Sequence, residues 1–153
     1  MTPVEFVTMP DHSAAADVLR MMQGLYAEDA ALSPVDVARF PLTLVRLLTE
    51  PATGRIVLFM SGDTVCGYAL LIPYWSNEFG GTLLFVDELF VDEAFRGQGI
   101  ARSFLTFLAE NRPFDAVALA LEVSPRNMRA RSLYEGVGFT HRHHTVMTRT
   151  LNP

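Results

Sequence analysis

A chain of 153 residues, half of them apolar, is long enough to bury one sizeable core and too short for two, so a single domain over residues 1–153 is expected. With 17 acidic against 12 basic side chains the formal charge is -5, which argues against the basic, phosphate-neutralising face of a nucleic-acid binder. Cys66 is the one cysteine, so an intramolecular disulfide is ruled out and a reducing, cytoplasmic setting is expected; the start Met1-Thr2-Pro3-Val4-Glu5 lacks an export signal's pattern, and no apolar run approaches the ~20 residues of a membrane span.

Residues 4–9 read as a first strand. Apolar residues at Ala15, Val18, Leu19, Met22 and Leu25 then fall at helical spacing, with Asp11 or Ser13 as the cap. Ser33-Pro34 marks a second helix start, Val37, Phe40, Leu44, Leu47 and Leu48 its buried stripe, and Pro51 with Gly54 its end; Pro41 kinks or splits it. Residues 55–60 and 64–72 form an antiparallel hairpin across Ser61-Gly62-Asp63. Residues 73–81 read as a polar and aromatic loop, and 82–91 as a central strand, apolar on both faces apart from Asp87 and Glu88. A helix over 97–111, a buried strand over 117–123, a short helix over 128–136 and a loosely alternating last strand over 141–150 complete the chain. This order predicts a mixed α/β sheet with helices on both faces, without repeats or linkers.

The first chemically informative segment is Arg96-Gly97-Gln98-Gly99-Ile100-Ala101, a glycine-bearing connection from a buried strand into a helix. Such glycines let the backbone approach a ligand, and the free N–H groups with the helix dipole suit a pyrophosphate; Arg96 and Arg102 add charge-assisted contacts. The alternative is a turn that merely reverses the chain. No Gly-Lys-Ser/Thr follows, and the glycine spacing does not suit a dinucleotide fold.

The segment resembles the Arg/Gln-x-x-Gly-x-Gly/Ala element of the GNAT acetyltransferases. A second motif in the expected order, Asn127, Ala130, Leu133-Tyr134 and Gly138-Phe139 after Leu121-Glu122-Val123, is similar to that family's Asn-x-x-Ala-x-x-Leu-Tyr-x-x-x-Gly-Phe. The resemblance implies a mostly antiparallel mixed sheet of six to seven strands with about four helices, splayed where acetyl-CoA lies. It implies a ternary complex in which an amine attacks the thioester directly, with the pantetheine arm along the backbone of Leu89, Phe90 and Val91, phosphates at Arg96 to Arg102, and Asn127 on the arm. Asn127 is equally a helix cap. Tyr134 becomes the acid for the departing thiolate, its alternative being a packed core tyrosine.

Three acids compete for the base: Asp87, Glu88 and Glu122. In a regular strand Asp87 and Glu88 face opposite ways, and a bulge changes which one enters the cleft. Val86-Asp87-Glu88-Leu89-Phe90-Val91 resembles the acidic pair of polyamine and thialysine acetyltransferases, whereas Glu122, twelve residues before Tyr134, matches the acid of ribosomal-protein alanine acetyltransferases. The alternative is a structural acid paired with an arginine such as Arg126. Tyr74 and Trp75 are candidates for an acceptor site, a solvent-facing loop or a dimer contact. His141, His143 and His144 read as a polar strand edge, so no metal is expected, and Cys66 reads as inert. The expected function is acetyl-CoA-dependent acetylation of a small primary amine. Protein N-terminal acetylation and a non-catalytic CoA-binding sensor are the alternatives, and the family resemblance adds a homodimer.

Overall fold

The computed structural model describes residues 2–28 and 34–151. Strands β1 (Val4–Thr8), β2 (Arg55–Ser61), β3 (Thr64–Ser76) and β4 (Gly81–Val91) pair antiparallel in succession, and β5 (Ala118–Leu121) joins β4 in parallel. Helices α1 (Ala15–Glu28) and α2 (Phe40–Thr49) connect β1 to β2, α3 (Ile100–Asn111) connects β4 to β5, and α4 (Met128–Gly136) follows β5.

The central strands are apolar on both faces because both are covered. Ile56, Leu58, Tyr68, Leu70 and Phe90 pack against Val18, Met21 and Met22 of α1 and Phe40, Leu44 and Leu47 of α2. Val57, Phe59, Ala69, Leu71, Leu84 and Val86 pack against Ile100, Phe104, Leu105 and Leu108 of α3. On that second face Phe59 and Phe104 meet with ring centroids 4.6 Å apart, and Phe6 closes on Phe59 edge-on at 5.1 Å.

Local rules place the helix ends. The Asp11 carboxylate accepts from the Ser13 amide at 2.8 Å, the cap read in the sequence. Pro41 neither kinks nor divides α2; it occupies the first turn, where its missing N–H costs nothing. The predicted start at Ser33 lies outside the described residues. The predicted loop over 73–81 is largely strand, since β3 runs on to Ser76. Proline is tolerated there because β2 ends its pairing at Leu71, leaving the side of β3 at Pro73 without a partner strand.

The sheet has five strands among the described residues, not six to seven, and the expected last strand over 141–150 is absent. Its side chains are bound elsewhere. His141 is 2.7 Å from Glu135 just after α4, and Arg142 donates to both carboxylate oxygens of Glu78 at 2.9 and 2.7 Å in the β3–β4 turn. With polar groups on both sides of the segment, neither register buries an apolar face, and pairing is weakly specified.

Gly67 is the most closely enclosed of the described glycines. A Cβ there would lie 2.6 Å from both a Phe59 ring carbon and the Phe90 carbonyl oxygen, and that carbonyl is fixed in the ladder. Gly67→Ala is therefore expected to destabilise the fold by about 1–3 kcal/mol. Urea denaturation checks this, and an unchanged midpoint would refute it.

Candidate active site

Strand β4 pairs with β5 only from Leu83 to Val86, opposite Ala118 to Leu121; beyond Val86 the two diverge. The divergence coincides with a bulge. Opposite β3, Leu70 faces Glu88 and Leu71 faces Val86, so Asp87 is an extra residue without a partner. Leu84 and Val86 before it, and Leu89 and Val91 after it, all pack on the α3 side, so the bulge turns both Asp87 and Glu88 toward α1 and α2. The strict alternation expected of this strand does not hold, and two carboxylates share one face.

A cleft of about 930 Å³ opens where the strands part. One wall is Leu25, Tyr26 and Glu28 at the end of α1 together with Val86 to Leu89; the other is Leu121 to Asn127 with Tyr134. All three candidate acids line it, and none forms an ion pair among the described residues. The alternative weighed in the sequence, a structural acid paired with Arg126, is thus not seen among the described residues, although Arg126 lines the same cleft.

The three acids differ in surroundings. Glu88 is buried, and its Oε2 accepts a hydrogen bond from the Tyr68 hydroxyl at 2.8 Å. Burial raises its pKa, while hydrogen bonds from Tyr68 and Tyr26 oppose the rise by stabilising the carboxylate. Asp87 exposes much of its area along the cleft mouth; partial desolvation of its carboxyl, and then the charge of Glu122, push its pKa up. Glu122 is exposed on the opposite wall. Tyr68 is fully buried, and desolvation followed by the Glu88 charge pushes its pKa far up, so it remains a donor throughout the working range.

Tyr134 projects from α4 into the cleft, partly buried, with its ring 6.0 Å from that of Phe139. Burial raises its pKa and keeps the hydroxyl protonated. The Asn127 side chain accepts from the Ala130 amide at 3.0 Å, so it caps α4 and lines the cleft at once.

Past Val91 the chain reaches the loop over 96–99, where Gly97 and Gly99 both have φ 78°, a left-handed conformation that favours glycine. No atom lies within 4 Å of a Cβ built at either glycine, and no side chain caps the first turn of α3. The loop is thus an open cradle beside uncapped N–H groups, which fits a pyrophosphate. Gln98 is exposed within it, Ile100 anchors α3 in the core, and Ala101 is partly buried. Leu89, Phe90 and Val91 lie where β4 has lost β5, so that side of their backbone faces the cleft side rather than a strand.

Both arginines assigned to phosphate oxygens also hold protein groups. Arg96 donates from Nε to the Val91 carbonyl at 2.8 Å and from Nη2 to Glu28 at 2.8 Å, with its guanidinium 5.2 Å above the Phe90 ring centre. Arg102 donates to the Gly136 carbonyl at the end of α4 at 3.2 Å. Tyr74 and Trp75 are not brought to the cleft: Trp75 pairs with Thr82, far along the hairpin from the Leu70–Glu88 pair, and both aromatics are exposed. No group of three or more His, Cys, Asp or Glu side chains among the described residues is arranged to hold a metal ion, and no helix among them is long and apolar enough to cross a membrane. Cys66 is buried, and desolvation pushes its thiol up.

Sequence reasoning missed Tyr26, Glu28 and Tyr68. The signal for a hydroxyl donor existed, since a carboxylate on a buried strand needs one, but nothing local identified which residue supplies it.

In its fold the chain is similar to a possible acetyltransferase from Clostridium difficile 630, with 16% identity, 98% of this chain and 99% of that chain covered and a TM-score of 0.83. It is similar also to the aminoglycoside N-acetyltransferase AAC(6')-Iy in complex with CoA (14%, 98% and 96%, TM-score 0.77). A third is the ribosomal-protein-alanine N-acetyltransferase from Brucella melitensis biovar Abortus 2308 (17%, 97% and 100%, TM-score 0.76). No curated protein matches the chain significantly in sequence. The profile of the Acetyltransferase (GNAT) family matches residues 20–139. That match runs from the second turn of α1 to the phenylalanine after α4 and takes in every wall of the cleft: the chain belongs to the GNAT acetyltransferases, N-acetyltransferases that use acetyl-CoA.

Proposed function

We propose that the acceptor is the primary amine of a small cationic molecule, such as a polyamine or an amino acid, with Glu88 as the base and Tyr134 as the acid. The observation that carries this reading is the bulge at Asp87, which turns two carboxylates to one face of the strand bordering the cleft. An amine acceptor arrives as an ammonium ion and needs both charge complement and a proton sink. Asp87 and Glu122 at the mouth supply the first. Glu88 supplies the second, because burial raises its pKa above the ordinary carboxylate value while its hydroxyl partners stabilise the ionised form that takes up a proton.

Acetyl-CoA supplies the acetyl group as an activated thioester. Glu88 takes one proton from the ammonium, directly or through one water, and the freed nitrogen pair forms the new bond to the carbonyl carbon. Backbone N–H groups of the unpaired β4 edge stabilise the charge that develops on the carbonyl oxygen. As the carbon–sulfur bond breaks, the Tyr134 hydroxyl gives its proton to the departing sulfur, and the second proton of the attacking nitrogen passes through water to the Tyr134 phenolate, leaving a neutral amide, the free thiol and a restored tyrosine.

A second reading, acetylation of protein N-termini, draws support from Glu122, which faces Asp87 closely enough to raise its pKa. The fold likeness to a ribosomal-protein-alanine acetyltransferase agrees with it. Thiol release across polyamines, lysine analogues, amino acids and free-N-terminal peptides separates the two readings. Small amines are expected to turn over; turnover confined to peptides would overturn the first reading, and tight acetyl-CoA binding without any turnover would support a sensor. The proposal retains a cytoplasmic location, and it retains a homodimer, for which the outer edge of β5, unpaired among the described residues, and the exposed Val146, Met147 and Leu151 are the supporting features. A monomer by sedimentation would exclude the dimer.

Glu88→Gln and Tyr134→Phe are each expected to lower kcat by about 10²- to 10⁴-fold, with little change in acetyl-CoA affinity. Because the pKa of Glu88 is raised, wild-type kcat/KM should fall, as pH drops, at a pH above the ordinary carboxylate range, and this acid limb should be missing in Glu88→Gln. A limb at an ordinary carboxylate pKa would count against the assignment. Gly99→Ala forces a side chain into the left-handed region, at about 1–3 kcal/mol, and narrows the cradle. The KM for acetyl-CoA should rise several-fold while the acceptor KM holds; equal changes in both would contradict the assigned role.

A further inference from the structure

Tyr68 has no contact with the open cleft and lies under the sheet, fully buried, on the face packed by α1 and α2. Its hydroxyl donates to Glu88 Oε2 at 2.8 Å and reaches it diagonally across the β3–β4 ladder, since Tyr68 itself pairs with Phe90 and Glu88 with Leu70. Tyr26, from the last turns of α1, reaches the same carboxyl, and its ring is packed 5.2 Å from that of Phe40 on α2. A phenol in the core that donates to a cleft carboxylate fixes that carboxylate's rotamer and favours the ionised form.

We propose that Tyr68, assisted by Tyr26, is the positioning residue of the acid–base step, holding Glu88 in the orientation and ionised form in which it accepts the acceptor's proton. The inference rests on the assignment of Glu88 as base. The other charged or titratable groups around this carboxyl are Asp87 beside it, Glu28 on α1, Arg46 on α2 beyond Asp87, and Glu122, Arg126 and Tyr134 on the opposite wall. Arg46 is engaged with Glu50 at 3.0 Å, and no cation is paired with Glu88 among the described residues, so the hydroxyls are what oppose its burial.

The test follows the Glu88 carboxyl directly, by carbon-13 NMR of protein labelled in its glutamate carboxyls, with the Glu88→Gln spectrum assigning the resonance. Wild type, Tyr68→Phe and Tyr26→Phe are compared, each also measured for its pH profile of kcat/KM and its acetyl-CoA affinity. Losing a hydrogen bond to a charged group should raise the Glu88 midpoint by about one pH unit or more in Tyr68→Phe, and by less in Tyr26→Phe. The acid limb of kcat/KM should move upward by the same amount, and acetyl-CoA affinity should not change. A role in packing alone would lower the rate equally at every pH and leave the midpoint in place, and that result in both variants overturns the proposal. Should Tyr68→Phe fail to fold, an unmoved midpoint in Tyr26→Phe overturns it and a moved one supports it. If the midpoint moves but Glu88→Gln keeps the full rate, the base assignment falls instead, and the positioning role falls with it.

Discussion

A carboxyl group on the inner face of a sheet costs several kcal/mol to bury unless hydrogen-bond donors meet it, and the arrangement around Glu88 satisfies that demand from three elements. β4 brings the carboxyl, β3 brings the Tyr68 hydroxyl diagonally across the ladder, and the end of α1 brings Tyr26. The relative placement of these elements is therefore more than a matter of filling space. A slip of β3 by one residue would carry Tyr68 to the α3 face and leave the carboxyl buried without its main donor.

One inserted residue does two things at once. By adding Asp87 to β4, the bulge resets the alternation so that Asp87 and Glu88 both face α1 and α2, and it coincides with the point where β5 leaves β4. The opening of the cleft and its acidic wall share a single backbone irregularity. Bulges increase local twist, which is why a strand pairing with β3 along its whole length nevertheless parts from its parallel neighbour after four residue pairs.

What was legible in the sequence followed contiguity. Helix α4 appears at its predicted residues with Asn127 as its cap, because capping and helix length are set within a dozen residues. The cradle at Gly97 and Gly99 was readable for the same reason: positive φ and an uncapped helix start are local properties. The hydroxyl partners of Glu88 were not readable, because Tyr26 and Tyr68 lie 62 and 20 residues from it and meet it only through tertiary packing. Nor was the length of β3, since the fate of Pro73 depends on where β2 stops pairing. The last strand was misread because the segment holds β-prone Val146 and Thr148, yet His141 and Arg142 at its start find partners in Glu135 and Glu78.

Arg96 shows how a local assignment and a tertiary contact coexist. A guanidinium carries five N–H donors, and only Nε and one N–H of Nη2 are committed here, to the Val91 carbonyl and to Glu28. The remaining three donors suffice for a phosphate oxygen at the Gly97–Gly99 cradle without loss of the existing bonds. The ion pair with Glu28 is exposed, so its contribution to stability is small, about 0–1 kcal/mol. Its effect is geometric: it ties the end of α1, which carries Tyr26 and one wall of the cleft, to the end of β4, from which the chain runs on to the Gly97–Gly99 loop. The Gly97–Gly99 loop and the wall that carries Tyr26 are thereby joined through one planar side chain, a rigid fork where a lysine would offer only a mobile point charge.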